Sequence, residues 1–325
     1  MVLLMKLHAT HKYKSCRQCL YLILKGHCRH ALYFNVVGNA EKTKRMNLTT
    51  DKIASIKNNL FYRSLEIIPD FFTFPWHQYR GVIDTDKVNA SQAIAIDFWG
   101  CLYSSKYKNE LINALFNTKA KEWSIELEYT NYELLNEPTS TQIDVFLKSS
   151  DKVIFVESKF TEKGGNCSQP PKKCNGNYQL QINPENKKES KCSLTGKNIR
   201  YWEFIEKVTD YKIDSEYFPC PFKRLEYQWM RNICFAKAYS EKHNGITHET
   251  YLFYYDSPKN HVSQLVNKGN YLGTLKGRLK TKFEAKSYNS CISLCIDYLK
   301  TIDLNEMNVW IELENWMSDK DKKLK

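Results

Sequence analysis

At 325 residues, with 42% hydrophobic and 14% aromatic side chains, the chain is long enough for one large domain or two small ones around a substantial core, which excludes disorder as a description of the whole. Lysine plus arginine number 48 against 36 aspartate plus glutamate, a net +12 that suits a polyanionic partner and equally a basic soluble protein. Eleven cysteines are too sparse for a small disulfide scaffold, and an odd number cannot all pair internally, so a reducing, cytoplasmic setting with free thiols or metal ligands is expected.

Residues 1–45 are rich in histidine, cysteine and lysine and lack a clear amphipathic period. They read as an N-terminal extension, with Met46 weighed as the true start. The early apolar runs, at residues 1–5 and 20–24, are five residues each, far short of a membrane span or an export signal. The set Cys16, Cys19, Cys28 and His30 has zinc-like spacing, for which accidental clustering is the simpler explanation. From Asn47 to Thr50 the sequence offers a cap for a helix with Ile53, Ile56 and Leu60 on its apolar side. Residues 90–117 predict a helical stretch interrupted near Gly100, with Leu111, Ile112, Leu115 and Phe116 facing the core in its second half. Strands are predicted at 123–129, 143–148 and 153–158, the last two forming a hairpin through residues 149–151. Residues 161–198, rich in Lys, Asn, Gly, Pro and Cys, read as a long insertion. A helix at 225–243 and a strand at 250–255 complete the order α-β-β-β-α-β: an α/β domain over 46–325, core about 90–256, with a mixed central sheet. Cys291 and Cys295 sit four apart on a late helix as buried small hydrophobes, and residues 319–325 form a charged tail expected to fray.

The chemistry concentrates in residues 141–160, where Asp144 lies inside one apolar strand and Glu157 and Lys159 end the next. Alternation along a strand places Glu157 and Lys159 on one face, and hairpin pairing brings Asp144 opposite them. Two carboxylates this close repel unless a divalent cation lies between them, and hard oxygen donors suit Mg²⁺ or Mn²⁺. A lysine beside them can orient or deprotonate an attacking water and stabilise phosphate charge. An exposed ion pair at a strand end is the bland alternative.

Asp144, twelve intervening residues and then Glu157-Ser158-Lys159, in this order of elements, resembles the signature of the PD-(D/E)XK nuclease superfamily, with its restriction-endonuclease-like core. Within it the chain looks most like bacterial restriction endonucleases with a cysteine-containing insertion, here Cys167, Cys174 and Cys192, and a helix matching Tyr227-Gln228-Trp229-Met230-Arg231-Asn232. The resemblance covers about residues 48–256. It implies that Asp144 and Glu157, with the Ser158 carbonyl, bind Mg²⁺ or Mn²⁺, that Lys159 positions the nucleophilic water, and that Gln228 orients substrate or water. The proline of the motif's name is absent, because Gln142 and Ile143 precede Asp144. A further acidic ligand would come from Glu110 or Glu128; Glu128 is preferred because it lies on a neighbouring strand, although each is more often a solvated or paired carboxylate. Arg231, three residues from Gln228, shares its helix face and can reach a phosphate or base, capping or surface hydrogen bonding being the alternative.

Cys167, Cys174, Cys192 and Cys220 supply four thiolates for a structural Zn²⁺, or less favourably an iron–sulfur cluster, although no tight C-x-x-C pair is present. Lys268, Lys276, Arg278, Lys280 and Lys282, interleaved with Tyr271 and Phe283, have a composition that suits a nucleic-acid backbone and equally a solvated charge run. The expected activity is Mg²⁺-dependent hydrolysis of DNA, in restriction or defence, with a homodimer where both strands are cut. The alternatives are a non-catalytic nucleic-acid-binding protein and an RNA-cleaving or structure-specific repair nuclease.

Overall fold

The computed structural model describes residues 46–137, 141–165, 167, 192–210, 222, 227–267 and 276–324. Residues 1–45, Cys174, Cys220, Lys268 and Tyr271 therefore lie outside the described residues. Helix α1 (Thr50–Asn58) begins where the sequence places a cap: the Thr49 side chain accepts a hydrogen bond from Lys52 N. A 3-10 turn (Tyr62–Ile67) and a small hairpin, β1 (Gln78–Tyr79) with β2 (Val82–Ile83), precede α2 (Ser91–Ser104) and α3 (Lys108–Phe116). The break between α2 and α3 falls at residues 105–107, not at Gly100. Gly100 stays helical and is needed for contact, since a Cβ there would meet Ser64 at 2.5–2.7 Å.

The central sheet runs β3 (Ser124–Asn131), β4 (Thr141–Lys148), β5 (Lys152–Lys159), β6 (Thr247–Tyr254) and β7 (Phe283–Ser287), in that spatial order. The first three strands are antiparallel neighbours and the last two join in parallel, giving the mixed sheet expected. Strand β5 sits at the centre and is buried from Val153 to Lys159. Between β5 and β6 the described chain forms α4 (Ser193–Gly196), α5 (Trp202–Val208) and α6 (Tyr227–Lys242). After β6 come α7 (His261–Asn267), then α8 (Tyr288–Leu299) and α9 (Leu304–Lys323) following β7.

Strand alternation divides the core into two layers. Phe146, Phe155 and Leu252 face α6, where Phe235 and Tyr239 pack on Phe155 at ring separations of 5.7 and 5.6 Å. Tyr251 and Phe253 face the opposite side, where Phe98 and Trp99 of α2 cover Phe253. Two expectations change. The charged end of the chain does not fray: α9 continues to Lys323 because Lys320 is buried, with Nζ 2.7 Å from Asp97 Oδ2 and 2.5 Å from Asn59 O. Phe283 of the basic stretch is buried at the start of β7 and offers no stacking surface, and Lys282 pairs with Glu249 at 3.4 Å.

Candidate active site

The β4–β5 hairpin closes through residues 149–152, where Ser149 N donates to Lys152 O at 2.8 Å and Ser149 Oγ accepts from Lys152 N at 3.0 Å. Pairing runs from Lys148↔Val153 to Val145↔Val156 and then stops. One further step in that register brings Asp144 to Glu157. The β3–β4 ladder pairs Leu127 with Val145 and Tyr129 with Ile143 but skips the level between them, which belongs to Glu128 and Asp144. Glu128 has φ +57°, a left-handed conformation costly for a non-glycine residue. Three neighbouring strands thus place Glu128, Asp144 and Glu157 in one row where regular pairing is interrupted, as like charges directly opposite on a sheet require relief.

Side-chain hydrogen bonds hold the row. Asp144 Oδ2 accepts from the Ser158 backbone N–H at 2.6 Å, replacing the ladder bond lost there. Lys159 Nζ donates to Glu157 Oε1 at 2.6 Å, with both residues at most 6% exposed. Asn232 of α6 donates to Glu157 Oε2 at 2.7 Å and is itself fully buried. Arg231 Nε lies 3.3 Å from Asn232 Oδ1, which fixes which end of that amide faces Glu157. Gln92 of α2 donates to Glu128 Oε1 at 2.6 Å. Asp144 Oδ1 and Glu128 Oε2 receive no hydrogen bond from the described residues.

The electrostatics follow from crowding three carboxylates, Glu157 buried and Asp144 and Glu128 half-buried, beside one lysine. Burial first, and then the charge of Glu157, push the Asp144 carboxyl up to about 7 against the opposing pull of Lys159. Burial and Asp144 raise Glu128 well above the usual carboxylate range. Burial would raise Glu157 too, but Lys159, Arg231 and the hydrogen bonds from Lys159 and Asn232 together take it below that range. Burial opposes the charge of Lys159, yet Glu157, Asp144 and Glu162 lift its pKa above the ordinary lysine value. Burial and mutual repulsion therefore favour the protonated forms of Asp144 and Glu128, while Lys159 and Arg231 keep Glu157 ionised.

Of the residues singled out in the sequence, Asp144, Glu157, Ser158, Lys159 and Glu128 come together, whereas Glu110 is exposed on α3. Gln228 shares the α6 face but accepts from Gly165 N at 2.9 Å, pinning the chain that leaves β5. A Cβ at Gly165 would approach the Gln228 side chain to 2.8–3.0 Å, so a larger residue there would push the Gln228 side chain aside. Arg231 Nη2 lies 3.4 Å from Gln142 O and contributes charge to Glu157. Asn232 and Gln92 carry roles that the sequence reading missed. Asn232 is signalled by its spacing of four from Gln228, and Gln92 by opening an otherwise apolar helix. Cys167 and Cys192 pack in the hydrophobic layer under α6, and Cys174 and Cys220 lie outside the described residues. Among the described residues no group of three or more His, Cys, Asp or Glu is placed to hold a metal ion, and no helix is long and apolar enough to cross a membrane. Cys291 and Cys295 are buried on α8 as their spacing suggested.

This mixed α/β chain is matched over residues 7–304 by the family model REase-ARP, described as restriction endonuclease associating with ARP. The chain belongs to that family. Neither a curated protein nor a solved structure matches it significantly.

Proposed function

We propose that the chain is a metal-dependent nuclease of the PD-(D/E)XK kind that hydrolyses phosphodiester bonds in DNA, in a restriction or defence setting. The observation that carries this is the row of Glu128, Asp144 and Glu157 on three adjacent strands, with Lys159 bonded to Glu157. Its donor set fits Mg²⁺ or Mn²⁺: hard carboxylate oxygens, two of them without a hydrogen bond from the described residues, on crowded groups whose repulsion a bound cation would relieve. Asp144, Glu157, Glu128 and the Ser158 carbonyl would hold the ion. When bound, it would lower the pKa of an attacking water and offset charge on the phosphate. Lys159 stays protonated at neutral pH, since three carboxylates raise its pKa, so it orients water and stabilises the developing phosphorane charge as a hydrogen-bond donor. Asn232 and Arg231 keep Glu157 ionised and fixed, and Gln92 aims Glu128. Cleavage of both strands requires two such sites, so a homodimer is part of the proposal. A structural Zn²⁺ on Cys167, Cys174, Cys192 and Cys220 is a separate proposal, tested by metal analysis of anaerobically purified protein.

The test is incubation of the native protein with supercoiled plasmid, linear duplex and RNA in Mg²⁺, Mn²⁺ or EDTA. DNA cut only with metal is the expected result. Salt-sensitive DNA binding without cutting in either metal would replace the proposal with a binding protein, and preferential RNA cleavage would change the substrate.

A further inference from the structure

Two described residues other than Asn and Gly adopt positive φ: Glu128 at +57° and Arg80 at +53°. They are connected. Arg80 and Gly81, the latter at φ +78°, form the two-residue turn of the β1–β2 hairpin, with both φ values positive as a type I′ turn demands. Asn-Gly is the unstrained choice for that turn, so an arginine at its first position works against backbone preference. Both feet of the hairpin stand on one side chain: Gln92 Oε1 accepts from His77 N at 2.9 Å and from Thr85 Oγ1 at 2.5 Å. The same Gln92, through Nε2, holds Glu128 Oε1 at 2.6 Å. The hairpin is thus built on the residue that aims a carboxylate of the site.

Residues 77–82 are all exposed, Tyr79 at 57% and Val82 at 61%. The Arg80 guanidinium and Lys87 Nζ lie 5.2 and 5.9 Å from the Tyr79 ring, and neither forms a salt bridge among the described residues. The nearby carboxylates are already engaged, Asp84 with His77 at 2.8 Å and Asp86 with Lys52 at 2.7 Å. What remains is an exposed two-stranded ribbon with two cations that form no salt bridge among the described residues, beside an exposed aromatic ring. Ribbons of this width enter a DNA major groove, and such cations contact phosphates.

We propose that the hairpin of residues 78–83, with Lys87 beside it, forms an arm that grips the sugar–phosphate backbone of duplex DNA beside the carboxylate row, through Arg80 and Lys87 with Tyr79 between them. This rests on the nuclease proposal for the choice of partner. The test is anisotropy of a labelled duplex in EDTA over a salt series, comparing native protein with Arg80→Gly, Lys87→Ala and, as a charge control, Lys300→Ala at the exposed end of α8. Arg80→Gly suits the positive φ, so a loss of binding there is not a folding failure. The arm requires that Arg80→Gly and Lys87→Ala each bind about threefold to tenfold more weakly, with a salt slope reduced by about one, while Lys300→Ala matches native. Native affinity and slope in both arm variants, or no duplex binding by the native protein, overturns it. Metal-dependent cutting by the native protein scores the nuclease proposal separately: cutting with unchanged variant binding sinks the arm alone, and weakened variant binding without native cutting sinks the nuclease alone.

Discussion

Asp144→Asn separates stability from activity at the carboxylate row. The amide keeps an oxygen for the Ser158 N–H, which Asp144 Oδ2 accepts at 2.6 Å, but removes one buried negative charge. Raising the carboxyl from 3.8 to about 7 corresponds to roughly 4 kcal/mol against the ionised form at most, at about 1.4 kcal/mol per unit. Partial exposure of Asp144 and the nearby Lys159 reduce that ceiling, so the variant is expected to gain about 1–2 kcal/mol in metal-free buffer at pH 8. That gain corresponds to a melting temperature higher by about 2–6 °C. Between about pH 4 and pH 7 the native state binds this proton more tightly than the unfolded chain does, so this contribution to native stability falls as pH rises through that window. The variant-minus-native difference in Tm, from melts at pH 4–9, should therefore grow through the window and level off above about 7. Mg²⁺ or Mn²⁺ should raise the Tm of the native protein more than that of the variant, while cleavage by the variant falls by at least about a hundredfold. A variant that melts below native at pH 8 without metal, or a difference that does not change with pH, would refute this reasoning.

Further consequences follow from the same geometry. Lys159→Met leaves Glu157, 2% exposed, without its cation and should cost about 3–5 kcal/mol in urea unfolding as well as abolish cleavage. Lys320→Met should cost a similar amount, about 3–5 kcal/mol, by stranding the fully buried Asp97, yet leave cleavage per folded molecule unchanged. Gly165→Ala drives a Cβ into Gln228 and should slow cleavage; combining it with Gln228→Ala should cost less than the two single effects together, a shortfall read by a double-mutant cycle.

The strands were legible because their burial is simple: alternation in β4 and the unbroken apolar run of β5 reveal the sheet, and Ser-Ser-Asp between them reveals the hairpin. That register was enough to align Asp144 with Glu157 and Lys159. Helix breaks were harder, because Gly100 looks like an interruption until Ser64, distant in sequence, is seen against it. The end of α9 was misjudged for the same reason: Lys320 is one of a charged series locally, and only Asp97, 223 residues away, makes it a buried anchor. Glu128 could be nominated from its strand, but its left-handed backbone and its bond to Gln92 depend on α2 meeting β3, which no local pattern encodes. The helix that carries Gln228 was legible from its apolar spacing, while its partner Gly165 lay in a segment read only as insertion.

The most direct measurement is Mg²⁺-dependent conversion of supercoiled plasmid and linear duplex by the native protein, Asp144→Ala and Lys159→Ala at matched concentration of folded protein. Cutting by the native protein, abolished in both variants and by EDTA, is the expected result. Cutting that persists in either variant would contradict the assignment of phosphodiester hydrolysis to this carboxylate and lysine site.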